Sequence, residues 1–284
     1  MPALAPFGKL EIRPTTGPNT AAQIARDAIT AGARRIIAFG GDGTINEAAN
    51  GVIGTGVPFV ILPGGTANCM CVETGIGKNI DRAVQRVVNE SDDARIAVGK
   101  MTAGDGFTRY FLAMAGVGLD AVVASEVNLR LKAKIGKVAY WIAGFGMFAR
   151  SLPQCEAVIN GVASQRSFVL ISRVRNYGGD LEIARSVSLT DCCFETVSFT
   201  GKNSLRYLPY LAGVAAHFAH VLPGISYSGA TKVSCAQVGA KRVPVQIDGE
   251  VVGELPARFE IIPDALTLRI PHKYLERKPW TTSR

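Results

Sequence analysis

The chain has 284 residues, of which 48% are apolar and 19% charged, and its formal net charge is +8. This length exceeds that of an average domain, so two domains are expected, and the composition excludes a disordered or low-complexity chain. The basic charge fits an ordinary solvated surface as well as attraction to anionic phosphates or lipids.

The first hundred residues alternate between short apolar runs and helical patterns. The predicted order is strand 9–13, helix 21–31, strand 35–39, helix 46–52, strand 58–62 and helix 81–89. A glycine-rich loop follows each of the last two strands. This repeat is typical of a Rossmann-like parallel sheet that binds ligands at the carboxyl ends of its strands. Residues 1–96 are therefore predicted to form an α/β nucleotide-binding domain.

After about residue 97 the pattern changes to short β-rich segments that are separated by turn residues. These segments are 109–115, 167–174, 231–235, 243–247, 259–262 and 266–270. One helical stretch, 133–150, interrupts them. The pattern favours antiparallel sheets in a sandwich or barrel, so residues 97–271 are predicted to form a β-rich substrate domain. The tail, about residues 272–284, is expected to pack back on the first domain.

The first glycine loop has the sequence GGDGT and occupies residues 40–44. Its three glycines let backbone N–H groups approach phosphate oxygens, and a helix N-terminus after it adds positive potential. Asp42 can then hold a magnesium ion or orient a nucleophile. The alternative is a tight strand-to-helix turn that Asp42 caps. A Walker A loop is excluded, because GxxxxGK[ST] does not occur.

The second glycine loop has the sequence GGTAN and occupies residues 64–68. Thr66 and Asn68 supply a hydroxyl and an amide that can orient phosphate or ribose, although an ordinary turn is an equal alternative. The carboxyl ends of neighbouring parallel strands meet at one edge of a sheet. The two glycine loops are therefore expected to face each other across a cleft.

Two further segments carry carboxylates. Residues 116–121 match the GxGxx[GA] dinucleotide fingerprint, but no acid occurs between Val127 and Cys155, where the ribose-binding residue is expected. Asp120 is therefore interpreted as a polar residue at the domain junction. Asp248 and Glu250 flank a glycine, and they either project together from a sheet edge or belong to a plain hairpin with solvated acids.

Together these motifs resemble the catalytic domain of the diacylglycerol kinase family, which includes the sphingosine kinases and bacterial lipid kinases. The matching segments are GGDGTINE at 40–47, LPGGTAN at 62–68, GVGLD at 116–120, LKAKIGKVAYW at 131–141, NYGGD at 176–180 and QIDGE at 246–250. The resemblance implies an ATP-dependent lipid kinase. Its implied fold is a Rossmann-like, NAD-kinase- or phosphofructokinase-like nucleotide domain followed by a β-sandwich-like domain.

The resemblance also implies roles for individual residues, with ATP and Mg²⁺ as cofactors. Asp248 looks like the general base, with Glu250 beside it as a second catalytic carboxylate. Glu250, Asp42 and Asp120 look like the network that holds magnesium and water. The implied nucleotide contacts, starting from the adenine side, are Thr15, Gly40, Gly41, Asp42, Gly43, Thr44, Glu47, Gly65, Thr66 and Asn68.

The sequence departs from the family in three places. The usual first strand, which ends in an Asn-Pro-x-Ser-Gly type loop, is not found. Either the start codon is misassigned, or the nucleotide domain lacks this strand, and the second case predicts a short sheet and an open phosphate site. Cys192 stands where relatives carry glycine, and this argues against a regulatory metal site near Asp191. Cys69 stands where many relatives carry aspartate, and this difference bears on substrate preference.

The predicted partner is a lipid substrate at a membrane surface. Segment 127–154 contains basic and aromatic residues and no acidic residue. It is either a core helix with a basic rim or an element that lies at the membrane interface. The longest apolar run, 138–149, is shorter than the roughly 20 residues of a membrane span. Without a secretory leader or paired CxxC spacing, a cytoplasmic protein with peripheral membrane association is expected. A nucleic-acid partner is not expected, and a homodimer is left open.

Two alternatives to a lipid kinase stay open at this point. NAD kinases share the GGDGT loop and the two-domain plan, so the acceptor can be a soluble molecule. The missing first strand makes a non-catalytic nucleotide- or lipid-binding protein the other alternative. The sequence does not distinguish a diacylglycerol-like from a sphingoid-like acceptor.

Overall fold

The computed structural model describes residues 2–118, 121, 152–177, 181–184, 186–201, 210, 213 and 221–277. The helices are a 3₁₀ helix Pro2–Phe7, α1 Ala21–Thr30, α2 Asp42–Val52, α3 Cys69–Glu73, α4 Ile80–Asn89 and α5 His272–Leu275. The strands of the first half are β1 Ile36–Gly40, β2 Phe59–Pro63, β3 Ser91–Ala103, β4 Thr108–Phe111, β5 Met114–Gly118, β6 Gln154–Ile159, β7 Val162–Arg166 and β8 Phe168–Ser172. Those of the second half are β9 Asn176–Tyr177, β10 Leu181–Glu182, β11 Phe194–Phe199, β12 Ile225–Ala230, β13 Lys232–Val238, β14 Pro244–Ile247, β15 Glu250–Glu254 and β16 Ala257–Pro271.

The nucleotide half is built on the parallel pair β1 and β2, in which Ile36 lies opposite Phe59. All five residues of β2 are buried, as expected for the continuous apolar run of a parallel strand that is covered on both faces. Helix α2 begins directly after β1 and buries small residues such as Ala48 and Ala49, so it lies close to the sheet. The predicted strands and helices of this half are confirmed, except at its start.

The long strand β16 belongs to both halves of the molecule. It pairs antiparallel with β3 along its whole length, from Ala257 opposite Ala103 to Pro271 opposite Ser91. On its other edge it pairs with β13 at its beginning and, in parallel, with β2 through Leu268. The prediction of separate strands at 259–262 and 266–270 was wrong, because only a bulge at positive-φ Asp264 interrupts the strand. The predicted domain boundary at residue 96 lies inside β3.

The second half contains a six-stranded sheet with the order β12-β11-β8-β5-β14-β15. Its inner face packs on β3, β6, β13 and β16 of the first sheet, and the shared core includes Phe111, Phe194 and Phe259. The rings of Phe111 and Phe194 stack with their centroids 5.6 Å apart. An α/β nucleotide-type domain followed by a β-sandwich-like domain is therefore confirmed. The predicted helix 133–150 lies outside the described residues.

The strand predicted at 9–13 does not form. Those residues have no regular structure, and the 3₁₀ helix that precedes them packs against α4 instead. Leu4 is buried, and the ring of Phe7 contacts the guanidinium groups of Arg35 and Arg269 at 4.8 and 5.6 Å. Among the described residues, β1 pairs only with β2, so its other edge carries no strand.

Helix α5 contacts both halves of the molecule. The Tyr274 hydroxyl donates to Glu73 Oε1 at 3.2 Å and accepts from the Leu189 backbone N–H at 3.0 Å. Burial is the main reason why the pKa of Tyr274 rises to about 12, with the Glu73 charge adding to the shift. No helix in the described part of the chain is long and apolar enough to cross a membrane.

The substitution Tyr274→Phe is expected to lower the free energy of unfolding by about 1–3 kcal/mol. The stability falls because the buried Leu189 N–H and the Glu73 carboxylate each lose a hydrogen-bond partner, while the phenyl ring still fills the same space. Urea unfolding of the two proteins measures the difference. A change of less than about 0.5 kcal/mol would show that this contact contributes nothing to holding the chain end.

Candidate functional site

The two glycine loops lie side by side, because β1 and β2 are neighbouring parallel strands. The Gly64 N–H donates to the Gly40 carbonyl at 2.8 Å. A methyl group built on Gly64 would lie 2.9 Å from Gly40 Cα, and one built on Gly65 would lie 2.6 Å from Gly41 Cα. The loops thus touch backbone to backbone, at a distance that only glycine permits.

Polar side chains hold the second loop in shape. Asn68 has a φ of 50°, and its Oδ1 accepts from the Gly65 N–H at 2.8 Å while its Nδ2 donates to the Gly65 carbonyl at 2.7 Å. Asp42 Oδ1 accepts from the Cys69 N–H at 2.7 Å and so ties the first loop to the second. Thr66 is exposed at the tip. The Asn68 amide therefore shapes the loop from within.

A cleft of about 310 Å³ opens beside the first glycine loop. It lies between the segment before α1, the first turn of α2 and the hairpin β14–β15. Its lining residues are Thr15, Gly17, Pro18, Gly41, Gly43, Thr44, Glu47 and Glu250. The first N–H groups of α2 have no partner within the helix and carry the positive end of its dipole, so this wall of the cleft suits an anion.

Glu47 reaches across from α2 to the start of α1. Its carboxylate accepts from the backbone N–H groups of Asn19 at 2.9 Å and Ala21 at 3.3 Å. A carboxylate at a helix N-terminus compensates its unpaired N–H groups and its dipole. Glu47 therefore fixes the segment that carries Thr15 against the cleft.

Asp248 lies beneath the cleft, in the turn between β14 and β15, with a φ of 48°. Its carboxylate accepts from four donors. Three are the backbone N–H groups of residues 112–114, at 2.8 to 2.9 Å, and the fourth is Asn46 Nδ2 at 2.7 Å. A carboxylate offers about four acceptor positions, so all of them are occupied.

Burial raises the pKa of Asp248 to about 6, and the nearby charge of Asp42 adds a smaller increase. The three backbone N–H groups act in the opposite direction, because they stabilise the ionised form. Burial is the larger effect. The pKa of Asp248 therefore lies above that of an ordinary aspartate.

Two site residues were not among the predicted ones. Arg109 in β4 donates to Glu250 Oε2 at 2.8 Å and, through Nε and Nη2, to Asn46 Oδ1 at 3.2 Å. Asn46 is buried in α2 and connects Arg109 to Asp248. Asn46 lies inside the GGDGTINE motif, so the sequence could have identified it as a site residue. Arg109 belongs to no recognisable motif.

The predicted site residues fall into three groups. Thr15, Gly41, Gly43, Thr44, Glu47 and Glu250 line the cleft together. Gly40, Asp42, Gly65 and Asn68 form the packed base of the two loops, Thr66 lies at the exposed tip, and Asp248 lies beneath. Asp120 lies outside the described residues. The sequence analysis argued against a regulatory metal site near Asp191. In the structure, the Asp191 carboxylate accepts a hydrogen bond from the Ser188 backbone N–H at 2.8 Å.

If the first loop binds phosphate as the sequence predicts, Gly65→Ala is expected to lower kcat/KM for a nucleotide substrate on the order of 10²-fold, since it pushes the two loops apart and displaces the N–H groups at the start of α2. Gly229→Ala is the matched control, because its methyl group meets no atom within 4 Å. Steady-state kinetics and thermal unfolding of both variants check this. Unchanged nucleotide kinetics in folded Gly65→Ala would show that the loop contact does not matter.

Comparison with known proteins assigns both halves. The diacylglycerol kinase catalytic domain matches residues 2–101, and the YegS C-terminal NAD kinase beta sandwich-like domain matches residues 113–270. A diacylglycerol kinase of Staphylococcus haemolyticus is 30% identical over 234 residues, which cover 79% of this chain and 67% of the relative. One from Mycobacterium tuberculosis is 25% identical over 248 residues, covering 86% and 79%.

Solved structures with a similar fold include a protein described as a diacylglycerol kinase. The crystal structure of a diacylglycerol kinase from Bacillus anthracis str. Sterne superposes with a TM-score of 0.75 at 22% identity, covering 96% of this chain and 89% of that one. At this identity the likeness concerns the fold alone, and the matching domains and relatives carry the assignment. The chain belongs to the diacylglycerol kinase family.

Proposed function

We propose that this protein transfers the γ-phosphate of ATP to the hydroxyl group of a diacylglycerol- or sphingoid-like lipid. The observation that carries the proposal is that a glycine-rich loop and the carboxylates of the β14–β15 hairpin lie next to each other. A backbone cradle of glycines at the N-terminus of α2 faces Glu250, and Asp248 accepts a hydrogen bond from Asn46 of the same helix. Phosphoryl transfer requires phosphate positioning, charge neutralisation and one group that accepts a hydroxyl proton.

The cradle fits the phosphates of a nucleotide. A methyl group on Gly64 or Gly65 would lie within 3.0 Å of the backbone of the first loop, and one on Gly40 would lie 2.7 Å from Thr44 Cβ, so only glycine lets the two loops and the first turn of α2 pack this closely. The N–H groups of the first turn of α2 can then contact phosphate oxygens directly. Thr15, which lines the same cleft, is the proposed contact on the adenine side.

Glu250 and Asp42 are the proposed protein ligands of a magnesium ion, with Asp120 as the third predicted one. The described residues contain no group of three His, Cys, Asp or Glu side chains that could hold a metal by themselves. Mg²⁺ is usually held by one or two carboxylates together with substrate phosphates, so two protein ligands suffice for it. When bound, the ion would neutralise charge on the transferred phosphoryl group.

Asp248 is the proposed proton acceptor. A pKa of about 6 suits a base that works near neutral pH. Since its four acceptor positions are occupied, a lipid hydroxyl can only reach it by replacing one donor. Asn46 Nδ2 is the single side-chain donor among the four, and a hydroxyl would take the place of this donor while Asn46 keeps its bond to the Tyr110 carbonyl.

The lipid acceptor is supported by the relatives, which are named diacylglycerol kinases. Peripheral binding to an anionic membrane is part of the proposal, and the net charge of +8 agrees with it without distinguishing it from an ordinary basic surface. A soluble acceptor is the second candidate, because the matched C-terminal domain is described as NAD kinase beta sandwich-like.

The test is an acceptor panel with γ-labelled ATP and Mg²⁺. Diacylglycerol, phosphatidylglycerol and sphingosine are presented in mixed micelles, and NAD is supplied in solution. Label on a lipid supports the proposal and identifies the acceptor. Label on NAD alone would replace it by the soluble-acceptor function. ATP binding without any labelled product would identify a non-catalytic binding protein.

A further inference from the structure

The hydrogen bonds around the cleft converge on Arg109. Its side chain is 15% exposed, while that of its ion-pair partner Glu250 is 43% exposed. Arg109 Nη2 donates to Glu250 Oε2 at 2.8 Å, and Nε and Nη2 both donate to Asn46 Oδ1 at 3.2 Å. One planar guanidinium thus connects the hairpin β14–β15 with helix α2. Lysine lacks this fork geometry and cannot make the same set of contacts.

The ion pair selects the orientation of Glu250. With Oε2 held by Arg109, the other oxygen is turned toward the first turn of α2: a methyl group on Gly43 would lie 2.5 Å from Glu250 Oε1. A half-exposed glutamate would otherwise sample several rotamers. Arg109 therefore keeps one carboxylate oxygen at the wall of the cleft that suits an anion and its cation.

The bonds to Asn46 select the orientation of its amide. Because Arg109 donates to Oδ1, the NH₂ end points the other way, where it donates to Asp248 Oδ2 at 2.7 Å and to the Tyr110 carbonyl at 3.0 Å. Asn50 supports this arrangement by donating to the Asn46 and Tyr110 carbonyls. Both carboxylates of the site are thus held from one basic residue.

We infer that Arg109 is a positioning residue of the phosphoryl-transfer site, which fixes Glu250 directly and Asp248 through Asn46. This inference rests on the proposed function. It differs from a merely structural role, because the effect of Arg109 on turnover must then pass largely through Glu250.

A double-mutant cycle measures that dependence. Arg109→Met is expected to lower kcat on the order of 10²-fold, as for a misplaced catalytic group, while KM for ATP–Mg²⁺ changes less. Arg109→Lys keeps the charge and is expected to restore part of the loss. In a Glu250→Gln background, Arg109→Met should cost less than about tenfold, since its main target is gone. Arg95→Met, at an exposed position of β3, is the control and should match the wild type.

The outcomes separate this inference from the proposed function. If the wild type transfers phosphate and Arg109→Met matches the Arg95→Met control, Arg109 has no positioning role. Losses that simply multiply in the double variant would show that Arg109 does not act through Glu250, which contradicts the inference. If the wild type binds ATP–Mg²⁺ without transfer, the protein is non-catalytic and the inference falls with the proposed function. A folded wild type that neither binds nor transfers contradicts the proposed function, and the inference falls with it.

Discussion

Replacing Asp248 by asparagine is expected to reduce the rate of phosphate transfer by about 10²- to 10⁴-fold. The neutral amide cannot accept the hydroxyl proton. In addition, its NH₂ group would face two of the N–H donors that now bind one carboxylate oxygen. Leaving such buried donors unpaired lowers the free energy of unfolding by about 1–3 kcal/mol. Both losses have the same cause, the removal of one acceptor oxygen.

Asp264→Asn is the matched control for this prediction. Asp264 also has a positive φ, 51°, but lies exposed at the bulge of β16 and does not line the cleft. Transfer rates are compared at a temperature where unfolding curves show both variants to be folded. An Asp248→Asn protein that retains the wild-type rate would show that Asp248 is not the proton acceptor.

Replacing Arg173 by methionine is expected to lower the free energy of unfolding by about 3–5 kcal/mol, the largest stability effect that we foresee. Arg173 is fully buried, and burial lowers the pKa of its guanidinium. It donates to the backbone carbonyls of Ala97, Leu189, Asp191 and Cys193, at 2.7 to 3.1 Å. Methionine fills similar space but leaves these carbonyls without their donor.

The same contacts explain what Arg173 does for the fold. They tie β3, which pairs with β16 in one sheet, to the loop that precedes β11 in the other. Arg242→Met is the control, because Arg242 is 81% exposed and its ion pair with Glu254 contributes less than about 1 kcal/mol. Urea unfolding measures both variants. A loss below about 1 kcal/mol for Arg173→Met would show that other donors or water replace the guanidinium.

The glycine loops were predictable because their chemistry is local. Each follows a buried apolar strand, and the parallel pairing of β1 with β2 then brings Gly40 and Gly64 together. The sequence also placed Asp248 and Glu250 at a turn. Sequence alone left open whether these acids are solvated or part of a site, since their partners are distant along the chain.

The parts that sequence reasoning missed depend on such long-range contacts. Asp248 is held by residues 112–114, which are more than 130 positions away, and no local pattern marks an N–H group as its donor. Arg109 reaches Glu250 across a similar separation. The two predicted strands of β16 were separated by a Pro-Asp pair that resembles a turn, although pairing with β3 carries the strand through it. The 9–13 segment has suitable residues for a strand but no neighbour to pair with.

The most direct measurement is the transfer of labelled γ-phosphate from ATP–Mg²⁺ to diacylglycerol in mixed micelles, by the wild type and by Gly65→Ala. The cleft beside the paired glycine loops is the proposed phosphate site, so the wild type should produce labelled lipid. At an equal folded fraction, Gly65→Ala should produce on the order of 10²-fold less labelled lipid. Absence of labelled lipid from a folded wild type, on diacylglycerol and on the other lipids of the panel, would contradict the proposed function. Equal labelling by both proteins would place the phosphate site elsewhere.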